Sequence, residues 1–203
     1  NSWIEHRPDA RFCHQYEWLQ LVRDVYGGEP HYLAAYRGDE IVGVMPAMLR
    51  SVIGEGRVLL SVPLADEAGI IADEETSETA LAAKAEALVG ELNASRLEIR
   101  QRRPVPGAEP DLSRVNMEMD LPEDPDVLWD DFKGKVRNQV RKAGKSGLQA
   151  EPADDIHAAI SDAFYPVYSE NTRDLGSPMH SERFFHEVAD RFPQTSAIVV
   201  VRK

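Results

Sequence analysis

Hydrophobic positions change period several times along the chain. From His14 to Tyr26, Trp18, Leu21, Val22 and Val25 recur at helical spacing until Gly27-Gly28 interrupts them, which predicts an amphipathic helix. Two extended runs follow, His31 to Tyr36 and Glu40 to Leu49, joined by Arg37-Gly38-Asp39 in the manner of a hairpin. Pro46 falls late in the second run and points to an edge strand or a bulge, because proline offers no N–H to a ladder. A third apolar run spans Arg57 to Pro63, behind a Gly54-Glu55-Gly56 turn. Helical spacing returns from Ser77 to Ala94, with Leu81, Ala85, Leu88, Val89 and Leu92 on one face and Thr76 or Ser77 in the capping position. Arg96 to Gln101 then alternates as a half-buried strand does, Leu97 and Ile99 opposite Glu98 and Arg100. Residues 102 to 114, with three prolines and a glycine, read as a loop.

The second half repeats the alternation of periods with fewer strands. Val115 to Leu121 predicts a strand, and a short helix carries Val127, Leu128, Trp129 and Phe132. Between them, near Asp120 to Asp124, a domain change is expected, giving units 1–122 and 123–203. Lys133 to Lys145 forms a helix with Val136, Val140 and Ala143 on one side and Arg137, Arg141, Lys142 and Lys145 on the other, so that one face docks and the other meets an anion. Gly147 suits a left-handed position just past its end. After a short strand, Leu148 to Ala150, Asp155 caps a helix running to about Asp174, kinked at Pro166; Ser181 caps another, Glu182 to Phe192. The apolar run that ends at Lys203 needs a neighbouring strand. These elements define an α+β class, and the shortage of strands in the second half implies that the chain is part of a longer protein.

Composition sharpens this picture mainly through charge. The 203 residues are 42% hydrophobic and 29% charged, as in an ordinary soluble globular protein, and no apolar run approaches the roughly 20 residues of a membrane span. No secretory leader is visible, and a cytoplasmic location is expected. The single cysteine, Cys13, excludes an internal disulfide framework and any multi-cysteine metal site. A net charge of −12 argues against a general nucleic-acid-binding surface. Yet six of the 23 Lys and Arg residues lie between Lys133 and Lys145, with no acid among them. Such a run is often a solvated face. Here it is concentrated within an acidic chain, follows Trp129 and Phe132 that tie it to a core, and is easiest to rationalise if a phosphate or carboxylate offsets its repulsion.

Other chemistry is sparse. Phosphate-binding glycine loops, His-Glu-x-x-His and Gly-x-Ser-x-Gly are absent from the sequence. The six histidines show no ligand spacing, His180 and His186 being six apart and so on different helix faces; no metal is expected. Asp66 and Glu67, in the loop after the third strand, are the first carboxylates to test, and Arg100, Arg102 and Arg103 form a second small basic cluster.

Taken together, Trp3, His6 to His14 and Trp18, then Ile41-Val-Gly-Val-Met-Pro46, Ser61-Val-Pro63, Leu97-Glu-Ile-Arg100, the run Trp129 with Lys135 to Leu148, Arg173 to Pro178 and Phe184-Phe185 give the chain its likeness. In their order and spacing it resembles the FemAB-like branch of the GNAT superfamily of acyltransferases, in particular FemAB-related proteins associated with exosortase/PEP-CTERM systems. The resemblance implies tandem GNAT-like domains, a mixed sheet flanked by helices in each, with the second incomplete. It implies transfer of an acyl or aminoacyl group to an amine of a cell-envelope or polysaccharide precursor. Better-studied relatives move an amino acid from aminoacyl-tRNA to the amine of a peptidoglycan precursor. The donor would be acyl-CoA or aminoacyl-tRNA acting as co-substrate, with no tightly bound cofactor, and the partners a small or lipid-linked anionic substrate and possible tRNA. By the same resemblance Lys135 to Lys145 begins the second domain and lines an inter-domain cleft. Joined to the charge pattern, it makes Lys135, Arg137, Asn138, Arg141, Lys142 and Arg100 the candidate substrate-binding residues, without naming a catalytic base. The chain departs from the family where Leu64-Ala-Asp-Glu-Ala stands in place of a glycine-rich turn. The expected mechanism is direct attack of the amine without a covalent intermediate, so Cys13 is not a nucleophile. The alternative reading is a non-catalytic module of the same fold that binds an anionic ligand or a protein.

Overall fold

A short helix α1 (Ser2–Glu5) and a single tight turn, Phe12–His14, lead into α2 (Tyr16–Tyr26). The hairpin of β1 (Glu29–Arg37) and β2 (Glu40–Val52) turns on two residues, Gly38 and Asp39. Then come β3 (Gly56–Leu60), β4 (Ile71–Ala72), α3 (Glu75–Glu91) and β5 (Arg96–Glu98). The computed structural model describes residues 2–113 and 115–203, and it separates into one unit of residues 1–116 and another of 117–203.

In the first unit the strand order is β1-β2-β3-β5, with β4 also paired to β2. β2 is antiparallel to β1, β3 and β4, and β3 runs parallel to β5, so the sheet is mixed. Its centre is β2. Met45, Pro46, Ala47, Met48 and Leu49 are all buried in succession, which requires cover on both faces. On one face Met45, Ala47 and Leu49 pack with Leu81, Ala85 and Leu88 of α3. α2, whose Leu19, Leu21 and Val22 are wholly buried, also packs against β1 and β2. Each such leucine contributes about 1.5–3 kcal/mol by leaving water.

Three expectations change in this unit. Pro46 is neither on an edge strand nor in a bulge: it pairs with Tyr32 in the central strand, between the residues that meet β4 (Gly43, Val44) and those that meet β3 (Met48 onward). Proline is tolerated there because the ladder on one flank is interrupted. The register shift instead lies beyond Ala35↔Gly43, where Tyr36 pairs with Ile41 and leaves Val42 unmatched. β5 stops at Glu98, because the Arg100 N–H is taken by the Ser61 hydroxyl (3.0 Å) and the Arg100 carbonyl by the Ala68 N–H (3.0 Å). And α3 begins at Glu75 behind Glu74, with Ser77 buried inside its first turn.

The second unit contains α4 (Pro125–Asp131), α5 (Gly134–Lys145), β6 (Gln149–Pro152), α6 (Ile156–Ala159), α7 (Tyr165–Asp174), α8 (Glu182–Arg191) and β7 (Val199–Arg202). Asp124 caps α4 through the Asp126 N–H (2.9 Å), and Pro125 occupies the first turn, where its missing N–H costs nothing. α5 closes in a Schellman motif: Gly147 takes φ of 80°, its N–H reaches the Gly144 carbonyl (3.0 Å), and the Leu148 N–H reaches that of Ala143 (3.2 Å). Asp155 caps α6 by accepting from the His157 and Ala158 N–H groups at 2.9 and 3.0 Å.

α6 and α7 form one path, as the sequence suggests, but the interruption is a π-helical turn over Ile160–Phe164. There the Tyr165 N–H bonds the Ile160 carbonyl five residues back. Pro166, which has no N–H to give, sits in the first turn of α7 just beyond it. The π-turn absorbs what would otherwise be a bare carbonyl and a clash. Ile160, Phe184, Ala189 and Phe192 are buried, and the rings of Phe164, Tyr168 and Phe185 pack on one another with centroids 4.8–5.5 Å apart.

Two further expectations change, one at the boundary of the units and one in the second. Val115–Leu121 is not a strand: Val115, Met117, Met119 and Leu121 alternate as predicted but are exposed and paired to no strand among the described residues. Alternation predicts which side chains share a face; a ladder also needs a partner. Within the second unit the apolar side of α5 is only partly covered: Ala143 is half-buried, while Val136 and Val140 are 37% and 50% exposed. The last strand does find its neighbour, β7 pairing antiparallel with β6 from Gln149↔Arg202 to Pro152↔Val199.

Candidate functional site

The basic segment is helical over Gly134–Lys145, and it places Lys135, Arg137, Asn138, Arg141 and Lys142 within three turns. Arg141 lies 5.3 Å from the centre of the Trp129 ring and within 3.4 Å of the Asn138 side-chain oxygen. The aromatic ring thus orients the guanidinium without neutralising it. Arg137 has an acid nearby, Asp130 at 3.6 Å, but Asp130 is 81% exposed and the pair is worth little in water. Among the described residues, Lys133, Lys135, Lys142 and Lys145 have no carboxylate within 4 Å. Positive charge on α5 therefore remains available to a ligand, and the glycine at its start, Gly134, leaves open space around the first turn.

Arg100 belongs to the other unit and is engaged differently. Its guanidinium contacts Glu98 (2.7 Å) and donates to the Ala65 carbonyl (3.1 Å). It is one of several groups that pin the segment 61–70. The Trp18 indole N–H donates to the Pro63 carbonyl (3.1 Å), the Ile70 N–H to the Gln101 side-chain oxygen (3.0 Å) and the Cys13 thiol to the Glu67 carbonyl (3.5 Å). The Glu67 carboxylate is held by Arg102 at 2.9 Å and Arg11 at 3.9 Å, so it arrives already paired, while Asp66 has no such clamp among the described residues. Within this loop Leu64 adopts φ of 62°, a left-handed conformation that glycine takes without cost. The turn for which the family resemblance implies glycine is thus built with leucine, and the surrounding contacts hold it there. Gly69 allows a second close approach: a Cβ there would fall 2.5 Å from the Gln101 side-chain oxygen.

Two buried groups next to this loop stay uncharged. Burial pushes the Cys13 thiol up to about 11, and burial is also what holds the His14 imidazole below its usual range, its Nδ1 accepting from the Arg11 N–H at 2.9 Å. At about pH 8 roughly one Cys13 thiol in a thousand is ionised. The native chain is accordingly expected to resist an aromatic disulfide reagent at that pH and to release one thiol per chain only in denaturant. Stoichiometric reaction of the folded protein would show that Cys13 is not covered.

Elsewhere in the first unit an open cavity of about 340 Å³ is lined by Tyr26, Gly28, Glu29, Leu49, Arg50, Ser51 and Arg57, which no motif or charge pattern singles out as a site. Arg57 and Glu29, both in its lining, lie 3.8 Å apart. None of the candidate residues borders it.

No family model matches the chain. No curated protein matches it either. Among solved structures the chain is similar to a crystal structure of FemX, with a TM-score of 0.66, at 14% sequence identity, over 98% of this chain and 55% of that one. The fold is of the FemX type: a mixed α+β architecture with a mixed sheet flanked by helices. The chain spans about half the length of that structure. Among the described residues no helix is long and apolar enough to cross a membrane.

Proposed function

We propose that this protein is an N-acyl or aminoacyl transferase, moving the group from an activated donor, acyl-CoA or aminoacyl-tRNA, to an amine of a peptidoglycan or other cell-envelope precursor. The observation that carries this reading is the FemX-like fold extending over almost the whole chain. It agrees with the FemAB-like order of residues in the sequence, and within that reading the two units are tandem GNAT-like domains.

On this reading α5 supplies the electrostatic part of donor or acceptor binding. Lys135, Arg137, Arg141 and Lys142 meet phosphate oxygens, Arg by paired donors and Lys as point charges, and Asn138 adds a neutral donor and acceptor. Arg100 acts through the loop it anchors. In the reaction the amine nitrogen attacks the carbonyl carbon of the thioester or ester. The new C–N bond forms as the C–S or C–O bond breaks, the amine's proton passes to a base, and the leaving thiolate or alkoxide is protonated. Orientation of two substrates and backbone N–H groups facing the oxyanion supply the acceleration.

The test is transfer by the full-length protein from radiolabelled acyl-CoA or aminoacyl-tRNA to a panel of amines that includes envelope precursors. Label is expected on one acceptor class with one donor class. Saturable donor binding with no turnover for any donor would replace this reading with a non-catalytic binding module.

A further inference from the structure

Spacing alone separates the histidines, yet the fold of the second unit brings two together. His157, in the first turn of α6, and His186, in the middle of α8, face each other with their Nδ1 atoms 2.8 Å apart and their rings within 6° of parallel. Each outer nitrogen has its own neighbour. The His157 Nε2 lies 3.1 Å from the Asp190 carboxylate, and the His186 Nε2 lies 3.3 Å from the Ser161 hydroxyl and 3.7 Å from the Glu182 carboxylate. Ser161 reaches this position from the π-turn that precedes Pro166.

These contacts admit one neutral arrangement that satisfies every member. Asp190 only accepts, so His157 carries its proton on Nε2 and presents a bare Nδ1. His186 must then carry its proton on Nδ1 and donate it to His157, which leaves its Nε2 to accept from the Ser161 hydroxyl. The chain of donors runs from Ser161 through His186 and His157 to Asp190, and it ties α6 and the π-turn to α8.

We propose that this histidine pair is a pH-sensitive clasp within the second unit. One added proton is accommodated at the His186 Nε2, where Glu182 and Ser161 wait. A second would put an N–H on both Nδ1 atoms at 2.8 Å, exchanging a hydrogen bond for two opposed donors on two cations. The other charged neighbours do not relieve this. Asp155 is held by the N-terminal amides of α6, and Arg183 and Arg191 are both taken by Glu187. The two inner nitrogens face each other across a hydrogen bond rather than converging on a common point. Among the described residues no three His, Cys, Asp or Glu side chains are placed to hold a metal ion. Acid therefore opens the clasp and loosens α6 and the π-turn, because the inner hydrogen bond is lost.

Long-range ¹H–¹⁵N correlation spectra of the ¹⁵N-histidine-labelled protein at about pH 8 read the tautomers directly. His157 is expected as the Nε2–H form and His186 as the less common Nδ1–H form. Both as Nε2–H would overturn the proposal. In the second arm, amide exchange at Ala158 to Ser161, corrected for intrinsic chemical exchange, is compared at about pH 8 and about pH 5. Exchange is expected to rise on the order of 10-fold in acid in the natural protein. In His186→Asn, whose amide N–H₂ keeps the inner donor but does not titrate, the rise should be under about 2-fold. Equal responses in the two proteins would also overturn the clasp, whatever the enzyme's donor proves to be.

Discussion

Trp18→Ala is expected to cost the first unit about 3–5 kcal/mol, the range for removing a large aromatic side chain from a packed core. Trp18 is only 3% exposed, meets Phe12 edge-on at 5.1 Å, and donates its indole N–H to the Pro63 carbonyl. The substitution leaves a cavity beside α2 and removes one of the anchors of the segment that carries the left-handed Leu64. With a slope of about 2 kcal/mol per molar urea, the unfolding midpoint should fall by roughly 1.5–2.5 M. Trp18→Phe separates the two contributions: it keeps an aromatic ring and loses the N–H, so a smaller fall is expected, together with faster proteolysis within 61–70. A midpoint shift below about 0.5 M for the alanine variant would mean that Trp18 does not organise this loop.

That loop shows where sequence reasoning reaches its limit. Leu81, Ala85 and Leu88 at helical spacing announce α3 and the face it buries, because periodicity directly records which side chains leave water. The left-handed φ of 62° at Leu64 leaves no pattern: the neighbouring carbonyls of Pro63, Ala65 and Glu67 are held by Trp18, Arg100 and Cys13, groups distant in sequence from them. Pro46 misleads for a related reason. A lone proline reports a missing donor, but whether its strand is central depends on where the neighbouring strands end, here at Met48 on one side and Val44 on the other. Val115–Leu121 misleads in the opposite direction, a strand pattern with no paired strand among the described residues.

The candidate site divides in the same way. Its charge was legible, since six cations without an acid stand out in any reading of an acidic chain. The seating of Arg141 over Trp129 was not, because they stand twelve positions apart with a break between two helices. The pairing of His157 with His186 was further out of reach. It depends on α6 being capped by Asp155 and on the π-turn that Pro166 accompanies, and neither histidine's own neighbours in sequence hint at it. Sequence patterns record burial and local propensity; contacts between distant polar groups have no period to leave behind.

Arg137→Ala, Arg141→Ala and Lys142→Ala combined should weaken binding of the anionic donor by on the order of 10²–10³-fold, at about 1–1.5 kcal/mol for each lost charge-assisted contact. The fold should be little affected, because all three side chains lie on a helix with no buried residue and alanine favours the helical state. The Arg137–Asp130 pair adds less than about 1 kcal/mol. Salt dependence distinguishes charge from shape: the plot of log affinity against log salt should flatten by about 2–3 for a polyanionic donor such as aminoacyl-tRNA, since each neutralised cation no longer displaces a counterion. Arg141→Lys adds a finer test. It keeps the charge but gives up the planar group seated over Trp129, so the salt slope should persist while affinity falls by a few-fold. If instead the triple variant bound within about threefold of the natural protein at every ionic strength, α5 would be a solvated helix and the anion would have to be held elsewhere. The cavity between Arg50 and Arg57 would then be the next surface to substitute.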